Sequence, residues 1–210
     1  MAMKKTAYIF WIYLAVFGCT SKPFDDSLYT EEGRFSTHGT YQSRELGWEI
    51  SVPEGLSLMS VVDARKAFNS MAGLMKEDLN MDVNNDSSVF RVGFFCDSLN
   101  YFFAYTYYSG APDDATFLEE SSGIDSTMDS WIEDHFPDAD IYESTEGYGG
   151  RRFYVKRFTK TKQGNSPAQR NETYHCLING LGLSIMIYST NAECRTKMYE
   201  ALKNSTFIKS

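Results

Sequence analysis

Two runs rich in aromatic and β-branched residues, "VFRVGFFC" and "YFFAYTYY", are separated only by the turn-forming "DSLN". Such composition suits strands, and so short a connection can join only antiparallel neighbours. A long hairpin is therefore predicted through the middle of the chain. Alternation places Phe90, Val92, Phe94 and Cys96 on one face of its first strand. On the second strand it groups Tyr101, Phe103, Tyr105 and Tyr107, with Phe102, Ala104, Thr106 and Tyr108 opposite.

The same pattern recurs three times. "GTYQSRELGWEISVP" turns about Leu46 and Gly47, "DIYEST" and "RRFYVKRFTKT" flank "EGYGG", and "ETYHCLIN" and "LSIMIYST" flank "GLG". Helices are predicted between them. One starts near Asp63, with Ala64, Ala67, Phe68, Met71 and Met75 at helical spacing. A second follows Asp113 and Asp114, with Phe117, Ile124, Met128, Trp131 and Ile132 as its stripe and Pro137 as its stop. The last is "AECRTKMYEALKN", before a tail strand "TFIKS". The order is ββ-α-ββ-α-ββββ-α. It predicts an α+β fold with a mainly antiparallel sheet flanked by helices, and not a doubly wound one. Residues 45–210 make one domain on this reading.

The segment "GWEISVPEGLSLMS", a strand, "P-x-G" and a further strand, resembles the opening of PsbP-like domains, and the closing strand pair, amphipathic helix and "NSTFI" are similar to the end of that group. The resemblance covers the pattern of residues 45–210 and implies an α/β/α sandwich around an antiparallel sheet. It also implies a non-enzymatic binding or assembly role, which is an analogy of fold.

Ahead of the domain stands "MAMKK" and the apolar "TAYIFWIYLAVF", which is too short to span a bilayer as a helix of about 20 residues. It reads as a secretory signal, residues 1–18. "VFGC" resembles the lipobox of bacterial lipoproteins, with Val16 at −3, Gly18 at −1 and Cys19 as the lipidated residue; Phe17 at −2 is bulkier than that pattern favours. The polar stretch from Cys19 to residue 44 is expected to be a flexible tether. Acyl chains on Cys19 would supply the membrane attachment, each buried CH₂ contributing about 0.8 kcal/mol. Thr20 is not Asp, so the inner-membrane retention signal of enteric lipoproteins is missing and the expected address is the outer membrane of a bacterial envelope, on its periplasmic or surface face. "KPFDD" is similar to the acidic export signals of Bacteroidetes lipoproteins. The tripeptides at Asp26, Asp97 and Asp125 resemble the O-glycosylation acceptor of that group.

The 210-residue chain carries a net charge of −8, which removing Lys4 and Lys5 with the signal deepens to −10. Such a balance argues against nucleic acid as a partner. Charge is also split. Residues 113–146 hold twelve acidic side chains and no Lys or Arg, whereas residues 147–170 hold seven basic ones and no acid. Either the two segments neutralise each other within the fold, or Lys156, Lys160 and Lys162 form a positive docking patch. Tyr101, Tyr105 and Tyr107 are the second candidate binding surface, either packed in the core or offered to a glycan or protein.

Export permits a disulfide. Cys96, Cys176 and Cys194 all lie on apolar stripes, and Cys176–Cys194 is the favoured pair because both belong to the last strand–helix unit. His175 adjoins Cys176, but strand neighbours point to opposite faces, so the two cannot form a catalytic dyad. No "GxSxG" occurs. "DVNND" alternates like a calcium loop, yet Ser87 and Gly93 stand where an EF-hand needs Gly and Glu. "DHFPDAD" gathers Asp134, His135, Asp138 and Asp140 without a metal-ligand spacing. No catalytic residue, metal or cofactor is assigned. The sequence thus reads as a lipid-anchored envelope protein with a non-catalytic domain, its partner an unknown envelope protein or glycan. A glycan-binding lipoprotein using the aromatic strand, and a hydrolase or metal enzyme with an unrecognised site, remain open.

Overall fold

The computed structural model describes residues 33–36, 38–66, 88–135, 138–161 and 168–208, without the side chains of 122–128, 130, 131, 134 and 135. Cys19, Lys162, "DVNND" and the helical positions Ala67, Phe68, Met71 and Met75 lie outside these residues.

Eleven strands are described: β1 (Arg34–Phe35), β2 (Thr40–Ser43), β3 (Trp48–Ser51), β4 (Ser57–Leu58), β5 (Val89–Asp97), β6 (Asn100–Tyr108), β7 (Ala139–Tyr148), β8 (Arg151–Lys160), β9 (Gln169–Ile178), β10 (Leu181–Ser189) and β11 (Thr206–Phe207). The long helices are α1 (Asp114–His135) and α2 (Ala192–Lys203), and residues 61–66 are also helical. Seven strands form a sheet in the order β4-β5-β6-β10-β9-β8-β7, and four form a smaller one, β1-β2-β3-β11. Every described pairing is antiparallel, as the hairpin-dominated sequence predicts. The domain starts earlier than residue 45, because β1 and β2 already belong to the small sheet.

Local chemistry fixes the ends of these elements. The β9–β10 turn is Asn179-Gly180, with φ of 52° and 80°, and the β7–β8 turn is Gly149-Gly150, with φ of 56° and 81°. Both carry left-handed residues at the two central positions, the type I′ geometry that matches strand twist. Leu181 and Gly182, read as part of the turn from "GLG", instead begin β10. Asp113 caps α1, its Oδ1 accepting from Thr116 N at 2.9 Å. The helical stretch 61–66 is capped by Ser60 rather than Asp63. Ser60 Oγ accepts from Asp63 N at 3.1 Å and donates to Asp63 Oδ2 at 2.7 Å, a close relative of the capping box.

Each face of the large sheet is covered. Val92, Phe94, Phe102, Val155, Tyr174 and Ile185 pack with Met198 and Leu202 of α2 and with Tyr41, Trp48 and Ile50 of the small sheet. Phe207 of β11 stacks on Trp48 at 5.7 Å between ring centroids. On the opposite face Phe90, Phe95, Tyr101 and Phe103 pack with Met59 and Ala64, and α1 lies across β9 and β7. Phe90 and Val92 were expected on one face but belong to opposite ones. The β5–β6 register passes from Phe90↔Tyr105 to Val92↔Ala104, so Arg91 is an extra residue, a bulge that reverses the alternation.

Candidate functional site

The basic strand β8 does not form a positive patch around Lys156. That side chain points to the α1 face and is 6% exposed; its Nζ ion-pairs with Asp129 of α1 at 2.5 Å and with Glu143, its β7 cross-strand neighbour, at 3.4 Å. Strand neighbours alternate, so Arg157 points to the other face. There its Nε donates to Glu172 Oε2 at 2.9 Å and its Nη2 to Glu146 Oε2 at 2.8 Å, while Nη1 donates to Glu146 Oε1. At Lys156 and Arg157 the acidic and basic segments thus neutralise each other inside the fold. Lys160 is half-buried at the end of β8.

The carboxylates around Arg157 are tied down further. Glu172 Oε2 also accepts from Tyr174 OH at 2.7 Å, and Arg170 Nε stands 2.9 Å from Glu172 Oε1 as an ion pair off the hydrogen-bond line. Glu146 accepts from Ser144 Oγ at 2.7 Å and from Tyr148 OH. Hydrogen bonding to Arg157 lowers the Glu146 pKa to about 2. The Glu146 bonds in turn raise the pKa of Arg157, against burial. Burial, and then Glu146 for Tyr148 and Glu172 for Tyr174, push both phenols up. At neutral pH the guanidinium is charged and the phenols keep their protons. Glu146 stays ionised down to acid pH, and a group held in one state is poorly suited to general acid–base work. The network braces β7, β8 and β9.

The aromatic strand is mostly interior. Tyr101 is 6% exposed and stacks on Tyr188 at 5.4 Å. Tyr105 and Tyr107 are half-buried; Tyr107 packs on Phe117 of α1 at 6.4 Å. Gly182, opposite Tyr107 on β10, admits this ring: a Cβ there would meet Tyr107 at 2.6 Å and Phe117 at 3.0 Å. The described exposed tyrosines are instead Tyr108, at the end of β6, and Tyr142, on β7 with the Arg157 guanidinium 5.9 Å from its ring centroid.

The disulfide is Cys96–Cys194, and Cys176 is a buried free thiol. The expected Cys176–Cys194 pair fails on strand geometry. Cys176 lies opposite Leu183, near the start of β10, whereas α2 begins beyond Ser189 at its far end. At about 3.4 Å per residue that is roughly 20 Å, far beyond the Cα separation a disulfide allows, at most about 6.8 Å. Cys96 lies next to Asp97, whose partner Asn100 is also paired with Ser189. Asn100 Oδ1 fastens the same corner, accepting from Thr190 N and Asn191 N, each at 2.9 Å. Burial raises the Cys176 pKa. His175 points to the α1 side, with Nδ1 enclosed and without a hydrogen-bond partner, although the residue as a whole is only half-buried. Burial first, and then the charge of Lys156, lower its pKa to about 4.

Among the described residues no three His, Cys, Asp or Glu side chains gather to hold a metal, and no helix is long and apolar enough to cross a membrane. The side chains of Asp134 and His135 fall outside those residues, while Asp138 and Asp140 lie at the start of β7. Two features escaped the sequence reading. Arg91, 1% exposed, donates to Thr106 Oγ1 at 2.7 Å and ion-pairs with Glu45 at 2.5 Å. Its place in an aromatic strand was the available signal. The second is a cavity of about 230 Å³ lined by Asp114, Ala115, Phe117 and Leu118 of α1 with Thr145, Arg152, Phe153, Tyr154, Cys176 and Leu177 of the sheet.

No family model matches the chain, and no curated protein matches it. Among solved structures, a Bacteroides thetaiotaomicron protein is similar at 8% identity and a TM-score of 0.46, over 83% of this chain and 50% of that one. The chain thus spans half the length of that neighbour. LpqN, described as involved in cell envelope biogenesis of Mycobacterium tuberculosis, is similar at 11% identity and a TM-score of 0.40, over 76% of this chain and 82% of that one. Similarity at this level does not bear on what the present chain does.

Proposed function

We propose that this chain is a cell-envelope protein, lipidated at Cys19, whose α+β domain binds a partner without catalysing a reaction. The observation that carries the reading is the Cys96–Cys194 bridge. Disulfides persist in oxidising compartments, which is where a chain led by "TAYIFWIYLAVFGC" would fold. The binding role is supported by the charged network, whose groups serve to brace strands and are not poised for proton transfer. The anchor is tested with Cys19→Ala in cells fed labelled palmitate. The native chain is expected to take up label and to sediment with membranes, and the variant to lose the label. An alanine variant that still carries label and stays membrane-bound overturns the anchor.

A further inference from the structure

We propose that the cavity where β8 and β9 part beneath the first turns of α1 binds a small zwitterion with an apolar body, the class of the free apolar amino acids, with Asp114 receiving the ammonium and Arg152 the carboxylate.

The cavity has a structural origin. The β8–β9 ladder runs from Lys160↔Gln169 to Tyr154↔His175 and stops there, although both strands continue. Arg152 and Leu177 lie beyond the last pair, and the opening between them is roofed by Phe117 and Leu118. Phe117 cannot settle lower, since it already touches the space above Gly182 beside the Tyr107 ring. The result is a recess with apolar walls.

Its charges are of opposite sign and available. Asp114 and Arg152 are both exposed at the recess, and neither is ion-paired among the described residues. That sets Arg152 apart from Lys156, Arg157 and Arg170 on the same two strands, whose charges are all engaged. A purely anionic ligand fits less well, because Asp113 already caps the α1 N-terminus and Asp114 adds a second negative charge there. One positive and one negative group flanking an apolar recess instead match a zwitterion. The volume of about 230 Å³ is below the roughly 300–1,000 Å³ of sites for drug-sized ligands, which restricts the occupant to something the size of one amino acid.

This deepens the proposed binding role and rests on it, but it is measured separately. The anchor is read by label and fractionation, and the cavity by calorimetry on the full chain in detergent. Leucine and phenylalanine are titrated beside leucinamide and N-acetylleucine, each of which lacks one of the two charges. The free amino acids are expected to bind, and each blocked form to bind about tenfold to a hundredfold more weakly, the range for loss of one charge-assisted hydrogen bond. Arg152→Gln and Asp114→Asn, at exposed positions without an ion pair among the described residues, should weaken binding by a similar factor. Ala115→Trp, at the mouth on the helix surface, should abolish it while leaving the melting temperature unchanged. Absence of heat with both amino acids at millimolar concentration overturns the proposal. So does equal binding of the blocked forms, or full binding by Ala115→Trp.

Discussion

Arg157 on β8 and Glu172 on β9 stand directly opposite each other and meet at 2.9 Å between Nε and Oε2, with the Glu172 side chain only 4% exposed. Taking away the guanidinium would leave the buried Glu172 carboxylate with only Tyr174 and the off-line Arg170, and Glu146 without its main partner. Breaking a buried pair from one side costs about 3–5 kcal/mol. Arg157→Ala should therefore lower the urea midpoint strongly. Arg157→Lys should recover only part of the loss, since one ammonium cannot grip two carboxylates as a planar fork does. A midpoint unchanged by the alanine substitution would show that the network carries no stability.

Acid should find the same network. Glu146 has a folded pKa of about 2 against an ordinary 4.5. As pH falls, the unfolded chain takes up this proton first. The stabilisation from Glu146 is therefore complete above about pH 4.5 and disappears as pH drops to about 2. Stability curves of native chain and Glu146→Gln should converge across that window. Parallel curves would contradict the assignment.

The cross-link makes a prediction by chemistry and one by stability. Non-reducing peptide mapping should recover Cys96 joined to Cys194, with Cys176 alkylated only after unfolding. A Cys176–Cys194 peptide would refute the geometry. Cys194→Ser should destabilise the domain by about 2–5 kcal/mol, whereas Cys176→Ala should leave the bridge intact.

Gly182 and Gly180 separate close approach from turn geometry. Gly182→Val should destabilise by about 1–3 kcal/mol, as overpacking does, because the new side chain runs into Tyr107 and Phe117. Gly180→Asn should be far milder: nothing lies within 4 Å of a Cβ there, and Asn tolerates the left-handed backbone. Thermal melts of the two variants make the comparison, and equal losses would refute it.

Lys156→Glu would place a third carboxylate against Asp129 and Glu143 in a buried position. A loss of more than about 3 kcal/mol is expected, read as a fall in melting temperature. A stable variant that instead loses a salt-sensitive partner would restore Lys156 to a docking surface.

Hairpins were legible because their information is local: a turn and two alternating runs suffice to pair β5 with β6 or β9 with β10. The bulge at Arg91 was not, since one extra residue leaves no trace in composition yet moves Phe90 to the other face. The disulfide partner was hidden for a related reason. Cys96 meets Cys194 only because β10 lies beside β6, a neighbour relation between distant segments that no local pattern encodes. The charge split was plain as a pattern, but its outcome depended on which way alternate β8 residues point. The cavity had no sequence signature, because it arises where a ladder stops.

The pairing of β11 with β3 bears on how the chain reaches this state. Phe207 must arrive beside Trp48 before the small sheet is complete, and Ile208 N then donates to Gly47 O at 2.7 Å. Strand β11 is thus the closing stitch of a sheet begun by β1, β2 and β3. A chain emerging amino end first holds an open seam beside β3 until Phe207 has emerged. Loss of Thr206 and Phe207 would uncover the Trp48 ring and leave β3 as a raw strand edge, a liability for aggregation.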